Sequence, residues 1–157
     1  MGFDSREFLI KGRRVEDVFA ELINADFRST KEQDIYEHWD VGKGNYKFDV
    51  KGLKKIARTD DEVNENFHWV EIKNVLGRGG WCFSGKADFI VFETFDYFIC
   101  VKKENLQELI KEKVVKDYVD DPYKALYGLY QRKNRKDVLT LVKTLDLMAI
   151  SSKILKK

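Results

Sequence analysis

The tetrapeptide Gly42-Lys43-Gly44-Asn45 is the feature that most restricts the fold of this chain of 157 residues. It lies within residues 35–51, between two segments in which apolar and polar side chains alternate. Glycine and asparagine readily adopt the positive backbone angles that tight hairpin turns require. The pattern therefore predicts an antiparallel β-hairpin in which Val41 lies opposite Tyr46.

The two faces of the predicted hairpin differ in character because successive side chains of a strand point to opposite faces. The mainly apolar face comprises Ile35, Trp39, Val41, Tyr46, Phe48 and Val50. The mainly polar face comprises Tyr36, His38, Asp40, Lys47, Asp49 and Lys51. In this register Asp40 and Asp49 are diagonal neighbours, roughly 7–8 Å apart or less between Cβ atoms, so both carboxylates can approach one divalent cation.

The rest of the chain predicts one α/β or α+β domain with a regular order of elements. Apolar spacing indicates a helix at 5–25, an exposed connection at 53–66, and further strands at 68–75, 87–93 and 97–101. From residue 104 onward the apolar residues recur at helical spacing, and the tyrosine-rich segment 123–130 fits one helical stripe that would pack against the domain. We therefore expect one domain over 1–157, with a core at about 12–101 and a C-terminal helical extension at about 104–157.

Composition excludes several classes of protein. Lys and Arg total 29 and Asp and Glu total 27, so the net charge of +2 indicates neither a polycation nor an acidic tail. No apolar run approaches the roughly 18–20 residues that span a bilayer, so no membrane partner is expected. Cys82 and Cys100, with two distant histidines, suit neither a zinc site nor a disulfide framework, which favours a reducing cytoplasm.

The hairpin's charged residues resemble the signature of the PD-(D/E)XK nuclease superfamily. Asp40 is followed after eight residues by Asp49-Val50-Lys51, with Trp39 where that family often has proline. Glu16 resembles the additional acidic residue that many members carry on their first helix. The resemblance covers about residues 12–101 and implies a restriction-endonuclease-like core with an N-terminal helix, a central mixed sheet of about five strands and C-terminal helices.

A second match overlaps the first. Glu71-Ile72-Lys73 on the third predicted strand also fits the acidic-x-Lys element, with Asp49 as the preceding aspartate and 21 residues between them. We prefer the hairpin assignment because its register is determined locally, and Asp49 belongs to both assignments. If the third strand lies beside the hairpin, Glu71 and Lys73 join the same face.

The resemblance implies an Mg²⁺-dependent endonuclease that hydrolyses the phosphodiester bonds of DNA, with Mn²⁺ as a substitute ion and RNA as an open alternative. Asp40, Asp49 and the Val50 carbonyl would hold the ion, Glu16 would hold a second ion or a water, and Lys51 would position the attacking water. Selectivity for branched DNA, a homodimer and a cytoplasmic location (the host's, if the chain is phage-encoded) are expectations from analogy alone.

Local basic clusters and one tryptophan supply the expected nucleic-acid contacts, through charge and stacking respectively. These residues are Arg13, Arg14, Lys54, Lys55, Arg58, Arg78, Trp81 and Lys86. A further cluster, 132–136, precedes the last predicted helix. The segment 80–86 superficially matches a phosphate-binding P-loop, but Ala87 replaces the required Ser or Thr and a strand follows, so we reject ATP binding.

The sequence leaves two alternatives to a nuclease open. The polar hairpin face can be an ordinary solvated surface, since exposed Asp–Lys pairs are common and contribute little. A non-catalytic nucleic-acid-binding or assembly protein can also use a nuclease-like fold. Cleavage in the presence of Mg²⁺ discriminates between a catalytic and a non-catalytic protein.

Overall fold

The computed structural model describes residues 15–157. Helix α1 occupies 15–23, which confirms the C-terminal part of the predicted N-terminal helix, while 5–14 lie outside the described residues. Phe19 of α1 is fully buried, and its ring lies 5.4 Å from that of Phe48 and 5.3 Å from that of Phe98. This aromatic contact attaches α1 to the sheet that contains the hairpin.

Within residues 15–157 the chain is an α+β protein with four α-helices, one short 3₁₀ helix and ten strands. After α1 they are β1 (Phe27–Arg28), α2 (Lys31–Glu37), β2 (Val41–Lys43), β3 (Tyr46–Lys51), β4 (Phe67–Lys73), β5 (Phe89–Glu93), β6 (Tyr97–Lys102), α3 (Lys103–Lys113), β7 (Tyr118–Val119), the 3₁₀ helix η1 (Pro122–Lys124), β8 (Leu129–Tyr130), β9 (Val138–Lys143), α4 (Thr144–Ile150) and β10 (Lys153–Lys156). None of the helices in this part of the chain has the length and apolar character that a membrane span requires.

The strands form two mixed sheets rather than the one central sheet of about five strands that was expected. The larger has the order β1-β2-β3-β5-β6-β10, in which β3 and β5 run parallel. The smaller has the order β4-β9-β8-β7, in which β7 and β8 run parallel. Strand β6 lies between β5 and β10 and is buried along most of its length.

Both faces of the larger sheet are covered. On one face, Phe19 of α1 packs with the strand residues Val41, Val50, Val91, Phe98 and Cys100. On the other, β4 and β9 of the smaller sheet pack with α3 and α4 around Val70, Ile90, Phe92, Ile99, Val101, Leu106, Val142 and Leu147. Trp39, predicted to share a face with Val41, packs in this second cluster instead.

The predicted hairpin is present, but its first strand is shorter and its register differs by two residues. Val41 pairs with Phe48 rather than with Tyr46, and the turn comprises Gly44 and Asn45. Gly44 has φ +58°, as a turn glycine should. Because the shift is an even number of residues, β3 keeps the predicted assignment of side chains to faces.

Residues 31–37 form helix α2, so the prediction that Ile35 and Tyr36 belong to the hairpin is wrong. Thr30 begins the helix with a capping box, in which its hydroxyl accepts from the backbone N–H of Gln33 and the Gln33 side chain accepts from the N–H of Thr30. This local signal overrides the weak alternation of the segment. Ile35 and Tyr36 are consequently 51% and 78% exposed.

The C-terminal helical extension predicted for 104–157 is only partly correct. Helices α3 and α4 are present, but the tyrosine-rich segment forms η1 and β8, and 138–143 form β9. A short run of mostly apolar residues is compatible with either a buried strand or a helix. Antiparallel pairing with β4 over most of its length decides in favour of a strand.

Attachment of α1 to the larger sheet is testable through Phe19. We expect Phe19→Ala to lower the free energy of unfolding by about 3–5 kcal/mol, because truncation of a buried aromatic ring leaves a cavity. Leu22→Ala, at a position on the same helix that is 41% exposed, should have a much smaller effect. Urea denaturation measures both, and equal losses for the two variants would contradict the described packing.

Candidate active site

The hairpin brings Asp40 and Asp49 together. The backbone N–H of Asp40 donates to the carbonyl oxygen of Phe48 at 2.8 Å, and Asp40 Oδ2 accepts from the backbone N–H of Val50 at 2.7 Å. Asp40 is 6% exposed and Asp49 is 4% exposed. Two carboxylates therefore lie side by side in a buried position, held in part by a hydrogen bond from one strand to the other.

Their electrostatics reflect this proximity. Burial, and then the charge of Asp49, raise the pKa of Asp40 from 3.8 to about 8, although the Val50 N–H acts in the opposite direction. Burial, followed by the charge of Asp34, also raises the pKa of Glu16, and Asp49 contributes to that shift. Glu16, Asp40 and Asp49 thus belong to one cluster of interacting carboxylates.

Lys51 is the cation closest to these carboxylates in the described ion pairs. Its Nζ lies 3.1 Å from Oδ2 of Asp49 and 4.4 Å from the centre of the Trp81 ring. The contact with Asp49 is an ion pair without hydrogen-bond geometry, so the buried Oδ2 accepts no hydrogen bond from the described residues. The ammonium group is therefore confined between a carboxylate and an aromatic face.

Glu16 connects this cluster to the surface. Its Oε2 lies 3.4 Å from the Arg28 guanidinium, which also pairs with Asp17 at 2.7 Å. These side chains are about two-fifths exposed, so the ion pairs contribute little to stability. Glu16 is thus a partly exposed member of this carboxylate cluster, on the N-terminal helix that the sequence analysis predicted.

Close packing of the glycine-rich loop 77–80 against β4 positions Trp81. The N–H of Gly80 donates to the carbonyl oxygen of Ile72 at 2.8 Å, and a Cβ at Gly80 would lie 2.5 Å from the carbonyl oxygen of Glu71. Only glycine permits this approach of the loop to β4. Glu71 Oε1 accepts from the backbone N–H of Trp81 at 3.3 Å, which helps to hold Trp81 beside Lys51.

The alternative set of Asp49, Glu71 and Lys73 is brought together less completely. The condition that β4 lies beside the hairpin is not met, because β4 belongs to the smaller sheet and pairs with β9. Glu71 contacts Trp81 through a hydrogen bond from the backbone N–H of Trp81. Lys73 is exposed and pairs with Val138 beyond a break in the β4–β9 register.

A cleft of about 1300 Å³ extends from Lys51 along the surface between the connection 52–59 and the smaller sheet. The predicted nucleic-acid contacts Lys54, Lys55, Arg58 and Trp81 line it. Among the residues that the structure describes, Arg78 and Lys86 lie outside this lining, and Arg13 and Arg14 are not described. The structure thus assembles part of the predicted set beside Lys51.

Other residues of the cleft escaped the sequence analysis. Arg132, Lys133 and Arg135 also line the cleft, together with Tyr123 and Tyr130. The basic cluster was visible in the sequence, but nothing in its position indicated which other segment it faces. The tyrosines were interpreted as helix packing because their spacing resembles that of a helical stripe.

A metal ion is compatible with the aspartate pair, although the described residues contain no ready-made group of three metal-ligating His, Cys, Asp or Glu side chains. Mg²⁺ commonly binds through one or two carboxylates and retains waters or substrate phosphates as its other ligands. The Oδ2 atom of Asp49 has no hydrogen-bond donor among these residues, and the pKa of Asp40 is raised by burial and by its acidic neighbour. A cation would relieve both conditions.

No family model matches the sequence, and comparisons with curated proteins and with solved structures give no match. The interpretation of the site therefore depends on the chemistry of the residues described above.

The raised pKa of Asp40 predicts a pH-dependent stability in the absence of divalent cations. Its stabilising contribution is fully present below pH 4 and is lost as the pH rises towards 8, because the folded state then holds a proton that the unfolded state has released. Asp40→Asn should abolish this component because an amide does not ionise in this pH range. The fold should be retained, since the amide oxygen can still accept from the Val50 N–H. Urea denaturation between pH 5 and pH 8 measures the effect.

The control for this experiment is Asp96→Asn, in the exposed turn between β5 and β6. It should retain the pH dependence of the unmodified protein. Identical pH profiles for Asp40→Asn and the unmodified protein would show that Asp40 does not titrate in this range.

Binding of a divalent cation should raise the melting temperature at pH 8. A ligand present at 100 times its Kd stabilises the folded state by about 2.7 kcal/mol. We expect Mg²⁺ and Mn²⁺ to stabilise the unmodified protein and Asp96→Asn, and to leave the double variant Asp40→Asn/Asp49→Asn unchanged. Thermal denaturation with and without chelator measures the shift, and equal stabilisation of all three proteins would exclude this pair as ligands.

Proposed function

We propose that this protein is an Mg²⁺-dependent nuclease that hydrolyses phosphodiester bonds, with DNA as the principal substrate. The observation that carries the proposal is the arrangement of Asp40, Asp49 and Lys51. Two buried carboxylates lie beside one confined ammonium group, and that lysine also lines a large basic cleft. The arrangement suits a reaction in which a polyanion meets an acidic metal-binding pair.

The ion would be held by the carboxylates of Asp40 and Asp49, with the Val50 carbonyl and Glu16 as further candidate ligands. When bound, it would neutralise phosphate charge and lower the pKa of a coordinated water. The Val50 N–H fixes the Asp40 carboxylate, so little reorganisation of that ligand is needed. Burial strengthens these electrostatic interactions, because water screens them less.

Lys51 would act on the reacting phosphate or the attacking water. Its ammonium group carries hydrogen-bond donors that can stabilise negative charge as it develops on phosphate. The contacts with Asp49 and with the Trp81 ring limit the positions that Nζ can occupy. A donor that is already positioned does not have to be reoriented during the reaction.

The resemblance to the PD-(D/E)XK superfamily supports the same proposal at a finer level. It suggests an endonuclease, with branched DNA as one class of substrate and a homodimer as the form that cuts two strands. Glu71 and Lys73 form the alternative catalytic pair. The contact of Glu71 with Trp81, which in turn contacts Lys51, favours a supporting role for Glu71.

A non-catalytic nucleic-acid-binding protein is the second candidate. The observation that favours it is the absence of a three-residue metal-ligating group from the described part of the chain. The basic cleft would then bind nucleic acid without cleaving it. The buried pair of aspartates argues against this candidate, because a binding surface for phosphates gains nothing from two adjacent buried carboxylates.

Cleavage assays with plasmid and labelled branched DNA test the proposal. We expect Asp49→Asn and Lys51→Ala each to reduce Mg²⁺-dependent cleavage by roughly 100-fold or more, because each removes a group that acts on the reacting phosphate or its cation. The matched controls are Asp96→Asn and Lys153→Ala, both at exposed positions remote in sequence from the site. They should retain the rate of the unmodified protein.

Retained cleavage by purified Asp49→Asn would contradict the assignment of the active site. If the unmodified protein binds these substrates but cuts none of them with Mg²⁺ or Mn²⁺, the non-catalytic candidate is correct.

A further inference from the structure

Two basic clusters that are distant in the sequence both line the cleft, and they are called its basic walls below. The connection after β3 contributes Lys54, Lys55 and Arg58, and the turn between β8 and β9 contributes Arg132, Lys133 and Arg135. Glu71 and Asp121 are the acidic side chains of the lining, so positive charge predominates. The volume of about 1300 Å³ exceeds the roughly 300–1,000 Å³ of small-molecule pockets, which suits an extended anionic ligand.

Aromatic rings line the cleft together with these basic walls. The rings of Trp69 and Tyr130 have centroids 5.2 Å apart at an interplanar angle of 37°, and both line the cleft. Trp69 Nε1 donates to the carbonyl oxygen of Lys55 at 3.1 Å, which ties one basic wall to the ring. Tyr123 is 60% exposed, and its hydroxyl donates to Asp60, so an accessible ring is held at the cleft.

Arg132 is held in place by a buried carboxylate. Its guanidinium lies 2.7 Å from Oδ2 of Asp137, which is 5% exposed. Burial of a carboxylate is costly unless it is paired. The pair therefore positions Arg132 on the cleft wall before any ligand is present.

We propose that this cleft binds unpaired nucleic acid, with phosphates on the basic walls and bases stacked on the aromatic rings. In a duplex the bases are stacked on one another and present only their edges in the grooves. Unpaired bases expose their faces, which stack on aromatic side chains without regard to sequence. Interleaved basic and aromatic side chains therefore favour a single strand over a duplex.

The inference rests on the proposed function and specifies its substrate class. Lys51 lines the cleft and also pairs with Asp49. A single strand in the cleft would consequently pass the candidate active site. Substrates with an unpaired segment, such as single strands, flaps and open branches, are the class that this arrangement selects.

Fluorescence anisotropy in chelator tests binding without cleavage. The probes are labelled oligo-dT, oligo-U and a DNA duplex of the same length, each titrated with the full chain at several salt concentrations. We expect at least one of the two single strands to bind roughly 10-fold or more tightly than the duplex. The two single-stranded probes show whether the sugar matters.

Two variants separate stacking from charge. Tyr123→Ala should weaken single-strand binding by roughly 10-fold without changing the salt dependence, because it removes a stacking surface. Tyr123→Phe keeps the ring and should bind like the unmodified protein. Arg135→Ala should weaken binding and reduce the slope of log K against log salt by about 0.7, as expected for one lost phosphate contact on a single strand.

The outcomes distinguish this inference from the proposed function. Equal or tighter binding of the duplex, or no binding of any probe, overturns the inference even if DNA is cleaved. Loss of binding in Tyr123→Phe equal to that in Tyr123→Ala also overturns the stacking role, since the hydroxyl contact with Asp60 would then account for the effect. Tight single-strand binding without cleavage in Mg²⁺ supports the inference and removes the proposed catalysis.

Discussion

The pairing of β2 with β3 determines which chemical groups meet in this protein. With Val41 opposite Phe48, the chain just before β2 comes alongside Asp49, and the Val50 N–H reaches the Asp40 carboxylate. A shift of one residue would turn Asp49 and Lys51 towards α1 and bring Val50 to the opposite face. The acidic pair, the ion pair of Lys51 and its contact with Trp81 all depend on this register.

The near balance of positive and negative charge conceals a strong local separation. Carboxylates gather at the hairpin, where burial and mutual repulsion raise the pKa of Asp40 to about 8. Basic side chains gather along the cleft, where Lys51 joins the two regions. A net charge of +2 is therefore compatible with a strongly basic cleft beside a pair of buried aspartates.

Local signals predicted much of the fold, and pairing between distant segments accounts for most of the errors. The glycine-asparagine turn, the strands 89–93 and 97–102 and the helix after them followed from periodicity and turn chemistry. The register of the hairpin in the structure differs from the predicted register by two residues, but Asp40 and Asp49 are neighbours in both. That β4 would pair with β9 was not predictable, because an apolar strand does not specify its partner.

The candidate site divides in the same way. Asp40, Asp49 and Lys51 lie within one hairpin, so their proximity could be inferred from a short segment of sequence. The lining residues Arg132 and Tyr130 are contributed by the smaller sheet and its β8–β9 turn. Its tyrosines were assigned to a helix, since spacing alone does not show which residues are brought to the same cleft.

This division has a consequence for the order in which the molecule acquires its parts. A hairpin closed by two residues forms through short-range contacts, whereas docking of β9 on β4 closes a loop of more than sixty residues. Long-range pairing of this kind is slow, because chain entropy is lost before the contacts compensate for it. The acidic pair can thus assemble early in folding, whereas both walls of the cleft come together only when the C-terminal strands have joined the smaller sheet.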